Sequence, residues 1–295
     1  MSSIAEVSPQ KQKKERVWLT TWKRMMTSKL AVFGLLVIVL QIIMAVFAPV
    51  LTSYDPYSQT LANAELPPFS EGHWLGTDNY GRDIWSRIMY GARISLLVGI
   101  TAVSLGVIGG TALGLLAGYY KKLDNILMRI VDILFAFPGI LLAMLIIAVL
   151  GSSLINVAIA ISIWSIPTCA RIVRGSVLSV KKQEYVQAMR TVGASNTRII
   201  LKHILPNCLA PIIVFATMRM ATAILSTASL SFLGLGAEPS QPEWGAMIAL
   251  GQDYMWTSPH MTIVPGIAIM LVVFAFNVVG DALRDALDPN MNVNG

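Results

Sequence analysis

The chain has 295 residues, 55% of them hydrophobic and 13% charged, with a formal net charge of +6. Together with a mean hydropathy of +0.65, that profile excludes an ordinary water-soluble domain and predicts an all-α polytopic membrane protein. Two cysteines (Cys169, Cys208) and three dispersed histidines (His73, His203, His260) lack the number and spacing for a disulfide framework or a metal site.

Residues 1–29 are polar and Lys-rich and read as a tail, mobile up to a short amphipathic stretch around Trp18 and Trp22. The membrane domain then occupies 30–295, with six apolar segments near 30–51, 94–119, 126–150, 154–174, 208–236 and 261–283. Each is long enough to cross a hydrocarbon core, which takes about 20 helical residues. The first run is too long for a cleaved signal peptide and reads as a retained anchor. Eighteen of the 22 Lys and Arg fall before the first span, in 121–129, in the central loop or at Arg284. That asymmetry predicts a cytoplasmic central loop and two cytoplasmic termini. It argues against a phosphate-binding surface, so no nucleic acid partner is expected.

The first long connection, 52–92, is expected to face outward. In it Asp78, Gly81 and Asp83 loosely suggest a calcium loop, but the glycine placement and the missing distal glutamate do not fit. Asp-capped turns are the alternative. In the second span Gly106, Gly110, Gly114 and Gly118 recur every fourth residue, a smooth ridge for close helix packing. Pro138-Gly139 predicts a kink or local unwinding in the third, and Asp132 is expected near the interface or paired within the bundle.

Between Arg171 and Asn207 the chain becomes basic, with seven cations. The loop proper, 175–207, reads as two short helices with a break. Tyr185, Met189 and Val192 share one face, Gly193 permits the turn, and Ser195 or Asn196 caps the second helix. That helix carries Ile199, Ile200, Ile204 and Leu205, and Pro206 is expected to close it. In the fifth span Arg219 lies near the centre, where a cation is costly, so it should face the bundle interior or water. Thr222, Ser226 and Ser229 follow at helical spacing and form a polar stripe with it. This reads either as one wall of a translocation cavity or as a structural ion pair with Asp132 or another subunit's acid.

The central loop resembles that of ABC-importer permeases, whose pattern is Glu-Ala-Ala, three residues, Gly, nine residues, Ile-x-Leu-Pro. Here Gln187-Ala188-Met189, Gly193 and Leu205-Pro206 take those places. Gln187 replaces the glutamate and His203 holds the isoleucine slot. Gly76-Thr77-Asp78, Gly81-Arg82-Asp83, Ser86-Arg87, the Ser229–Gly236 run and the stretch Phe276–Pro289 are similar to one subgroup. That subgroup serves dipeptide, oligopeptide, glutathione and nickel import, and the likeness is closest to its second permease subunit.

The resemblance implies the type I importer architecture and a transport subunit rather than an enzyme. It implies a bacterial inner-membrane location, contact with lipid, a sister permease, two ATPase subunits and an extracytoplasmic substrate-binding protein. It also implies coupling to the ATPase through Glu184, Tyr185, Gln187, Ala188, Met189, Gly193, Ala194, Leu205 and Pro206. The chain has no G-x-x-x-x-G-K-[ST] loop, so ATP and Mg are expected on the partner ATPase. An ion-gradient transporter is the rival class, and it would show inverted repeats and no docking elbow. A membrane enzyme would need a nucleophile–base pair, which is not visible.

Overall fold

The computed structural model describes residues 17–287, and every regular element in them is helical. Helix α1 (Val17–Thr27) leads into α2 (Lys29–Leu51), whose start is set by Ser28: its hydroxyl accepts from the Ala31 N–H at 3.3 Å. A compact connection over 52–83 precedes α3 (Ile84–Tyr119), which is followed by α4 (Lys121–Phe135) and α5 (Gly139–Leu150). Helix α6 (Leu154–Val180) runs down to the central loop with α7 (Glu184–Thr191) and α8 (Asn196–Ile199). The return is α9 (Leu205–Phe232), then α10 (Trp244–Gly251) and α11 (His260–Leu287). The N-terminal tail over 1–16 and the Asp288–Pro289 end of the C-terminal motif lie outside the described residues.

Helices α2, α3, α6, α11 and the run Asn196–Phe232 are long and apolar enough to cross a membrane. A sixth span follows if α4 and α5 count as one, bent by 91° at their junction. The kink expected at Pro138-Gly139 is therefore a right-angle break. Pro138 lacks the N–H that would continue the helix, and the Trp164 indole packs so closely on Gly139 that a Cβ there would overlap it. Helix α3 begins ten residues before the expected edge at 94, because Asp83 caps it by accepting from the Ser86 N–H at 2.8 Å.

The glycine ridge of α3 is covered by α6. A Cβ at Gly106 would stand 2.8 Å from the Ser165 Cβ, and one at Gly118 would stand 2.7 Å from the Val177 Cβ. Backbones approach closely along this seam because nothing larger than hydrogen intervenes.

Two buried clusters organise the bundle. One, around Ile88, Ile161, Ile224 and Trp244, fills its middle and the end that carries α10. The other gathers Leu115, Tyr119, Val173, Val177, Val186, Ile199 and Ile204 at the end that carries the central loop.

At the α10 end, the connection over 52–83 is locked by charge. The Asp78 carboxylate accepts from the Tyr80 N–H at 2.9 Å, the Arg82 N–H at 3.0 Å and the Arg82 Nε at 2.6 Å. Arg87 donates to the carbonyls of Pro56 at 3.0 Å, Ser240 at 3.2 Å and Gln241 at 3.0 Å. Arg82 reaches the Pro239 carbonyl at 3.3 Å. Both guanidiniums are buried, and they are tolerated there because the carboxylate and the carbonyls replace water. The turns are capped by Asp78 and Asp83, whose oxygens are taken up by protein donors instead of standing open as a calcium loop would have them.

Candidate functional site

The central loop is an elbow anchored on one side and open on the other. Helix α7 ends in a Schellman turn: Ala194 N–H donates to the Met189 carbonyl at 3.0 Å across Gly193, which holds φ +78°. Ser195 then caps α8, accepting from the Arg198 N–H at 3.4 Å. Beyond α8, a wide π-type turn over Ile200–Ile204 carries the chain into α9 without a stop.

Pro206 therefore does not close the element. It sits in the first turn of α9, where the wide turn has displaced the carbonyl ladder and no N–H is required of it.

Val186, Ile199 and Ile204 are fully buried against Val173, Val177 and Leu115, and they hold the elbow to the bundle. The stripe Tyr185–Met189–Val192 does not form one buried face. Met189 turns inward, whereas Val192 is 80% exposed and Tyr185 is 40% exposed. Val186, one residue off that stripe, is the anchor.

Polar bonds reinforce the seat. The Tyr119 hydroxyl donates to Asn196 Oδ1 at 2.6 Å, and the Arg190 guanidinium lies 5.1 Å over the Tyr119 ring. Lys181 Nζ caps the C-terminal end of α3, donating to the Gly118 carbonyl at 3.2 Å and to that of Tyr119. Partial burial, followed by the neighbouring Arg190 charge, lowers the Lys181 pKa, and Asp124 opposes the shift.

Arg174 grips Asp124 with two bonds of 2.6 and 2.7 Å, tying α6 to α4. Gln187 Nε2 donates to the Lys181 carbonyl at 2.9 Å, a bond that the glutamate of the resembled pattern could not donate.

Of the expected coupling residues, Glu184, Tyr185, Gln187, Ala188 and Gly193 are exposed. Met189, Ala194 and Leu205 are half-buried, and Pro206 is exposed at the foot of α9. The outer side of the elbow thus offers apolar Val192 and Tyr185 among cations such as Arg198 and Lys202.

The polar stripe of α9 divides into two parts. Arg219 Nε donates to Ser165 Oγ at 2.9 Å, and its guanidinium stacks 4.6 Å over Trp164, the same ring that packs on Gly139. Asp132 is not its partner, being engaged by Arg171 at 2.6 Å. Arg219 and Thr222 line a cavity of about 660 Å³ between α6, α9 and α11, whereas Ser226 and Ser229 lie outside it. Thr222 and Ser229 both donate to their own helix, to the Arg219 carbonyl at 2.9 Å and the Leu225 carbonyl at 2.8 Å. Sequence reasoning missed Trp164, Ser165, Asn277 and Arg284, which share this region. A Trp-Ser pair preceding Pro167 inside an apolar run was the available signal.

Residues 110–293 match the family described as binding-protein-dependent transport system inner membrane component. Residues 17–68 match the N-terminal transmembrane domain of oligopeptide transport permease C. The chain is 50% identical over 275 residues to a dipeptide transport system permease of Alkalihalophilus pseudofirmus, covering 93% of this chain and 90% of that one. It is 48% identical over 275 residues to a glutathione transport system permease of Pectobacterium atrosepticum, covering 93% and 91%. A methionine ABC transporter in an inward-facing conformation superposes with TM-score 0.56 at 20% identity, over 70% of this chain and 98% of that one.

Proposed function

The chain belongs to the inner-membrane components of binding-protein-dependent ABC transport systems, in their peptide-permease subgroup, and from that membership we propose that it carries short peptides inward. The cargo is a dipeptide, an oligopeptide or glutathione. The chain forms half of the translocation path with a sister permease, embedded in lipid. It takes substrate from an extracytoplasmic binding protein and is driven by two ATPase subunits that hold the ATP and Mg. The elbow and both termini lie in the cytoplasm, and the 52–92 and 237–260 segments face the binding protein.

The observation that supports this best is the construction of the elbow. An apolar tip, Val192, stands 80% exposed while its neighbours Val186 and Ile199 are fully buried. The elbow is seated on the bundle from one side and leaves Val192 and Tyr185 outward on the other, a short helical knob that a cleft on an ATPase would bury. Closure of the paired ATPases would then move α6 and α9, which the elbow joins.

The path reading rests on Arg219, a cavity-lining cation whose side chain can pair with a peptide carboxylate. Co-expression with the neighbouring transport components and affinity capture of this chain tests the assignment. A co-purifying ATPase is expected, and it should be lost on Val192→Asp. Capture of the chain without any nucleotide-binding partner would overturn it.

A further inference from the structure

The cavity beside Arg219 carries a charge pattern that its position does not require. Its polar lining consists of Arg219, Thr222, Asn277 and Arg284, and no acidic residue lines it among the described residues. Helix α11 sorts its charges to produce this. Asn277 and Arg284 face the cavity, whereas Asp281 and Asp285 line a separate space of about 510 Å³ beside α1. One face of α11 is thus cationic and the other anionic over the same two turns.

The two cations are also spaced along the cavity. Helices α9 and α11 run antiparallel, with Gly280 packed on Met218 so closely that a Cβ there would lie 2.7 Å from its Cγ. Arg284 is four residues beyond Gly280, toward the elbow, and Arg219 is one residue beyond Met218, away from it. The two levels therefore differ by about 7.5 Å at 1.5 Å per helical residue. Arg219 lines the cavity, although its unpartnered Nη2 is shielded from solvent and is not the atom a ligand would meet first, and Arg284 is exposed at the elbow end. An extended peptide advances about 3.3–3.6 Å per residue, so two or three residues span this separation.

We infer that the cavity selects short peptides by negative charge, with Arg219 and Arg284 each taking one of two carboxylates. Peptides with two carboxylates are preferred to those of the same size with one. Arg219 holds the deeper carboxylate and Arg284 the one nearer the elbow. The apolar wall from Pro211, Val214 and Phe215 receives the intervening atoms. This inference rests on the peptide-permease reading of the chain.

Saturation-transfer NMR on the complete permease–ATPase complex without nucleotide tests it, because direct binding bypasses the selection made by the binding protein. The probes are glutathione, which has two carboxylates, and triglycine, a zwitterion of similar length. Wild-type complex should bind glutathione more strongly. Arg284→Gln should weaken glutathione binding about two- to fivefold, the scale of an exposed ion pair, with triglycine unchanged. Arg284→Lys should keep most of the preference. Arg284 is exposed, so its replacement removes no packing. Equal effects on both peptides, no effect on either, or loss of the preference in Arg284→Lys alongside Arg284→Gln would overturn the inference. Peptide uptake by the wild-type importer without detectable binding here would also sink this site while leaving the peptide reading intact. A complete importer that moves no peptide at all would remove that reading and the inference with it.

Discussion

The hydroxyl of Tyr119 donates to Asn196 Oδ1 at 2.6 Å, and that bond joins the last turn of α3 to the first residue of α8. Helix α3 is not joined directly to the elbow in the chain, yet Asn196 of α8, Arg190 of α7 and Lys181 at the end of α6 converge on Tyr119 at its end. A displacement of the elbow is therefore passed to α3 as well as to α6 and α9.

Tyr119→Phe removes the hydroxyl and leaves the ring under Arg190. The loss is that of one hydrogen bond, about 0.5–1.5 kcal/mol, too little to prevent assembly. The expected outcome is an assembled complex whose ATP hydrolysis persists while substrate moved per ATP falls. Parallel ATPase and uptake assays in proteoliposomes measure that ratio. An unchanged ratio would show that the α3 contact carries no motion.

Gly193 opens onto free space: no atom lies within 4 Å of where a Cβ would project, so its requirement comes from φ +78° alone. A non-glycine residue in the left-handed region costs about 1–2 kcal/mol, and a β-branched one more than alanine. Gly193→Val should therefore weaken ATPase association and uptake more than Gly193→Ala, with membrane insertion intact in both. Subunit pull-down with quantitative blotting ranks the three proteins. Association equal to wild type in both variants would mean that the turn tolerates any residue.

Much of this was legible in the chain, and the failures have physical causes. The spacing around Gly193 announced a turn, because a glycine between two helical patterns has few other uses. The Gly106–Gly118 ridge announced close packing for the same reason. Pro206 misled, because a proline in the first turn of a helix and one ending a helix look alike until the preceding ladder is known. Val186 was passed over for Val192: on a two-turn helix several apolar stripes are equally regular, and tertiary contact decides between them. The Arg87 clasp on Ser240 and Gln241 was hidden by its sequence separation, since no local pattern reports a carbonyl 153 residues away.

Topology gives a separate test. The topology proposed from the Lys/Arg asymmetry has the elbow and both termini on one side and the 237–260 segment on the other. Reporter fusions after Gly236 and after Gly295 should score in opposite compartments. Equal signals from both positions would mean that α11, the candidate span between them, does not cross, and would overturn the six-span reading.

Glu243 supplies a pH dependence. It is buried at the start of α10, where its carboxylate accepts from the Ala246 N–H at 2.9 Å. Burial raises its pKa above the usual carboxylate range, and the N–H groups of Ala246 and Gly245 and the Ser231 hydroxyl only partly offset this. The folded chain thus binds this proton more tightly than the unfolded chain does. Its contribution to stability is present in full below the unfolded value of about 4.3 and is lost as pH rises through the raised folded value. Glu243→Gln keeps an acceptor for the cap but cannot ionise. The Tm of wild type minus that of Glu243→Gln should therefore fall with rising pH from about 4.3 and then level off above the folded pKa. Thermal unfolding of the two purified proteins across that range measures it. A difference that stays constant, or that grows with pH, would mean that the carboxylate is stabilised in its charged form by more than these three donors.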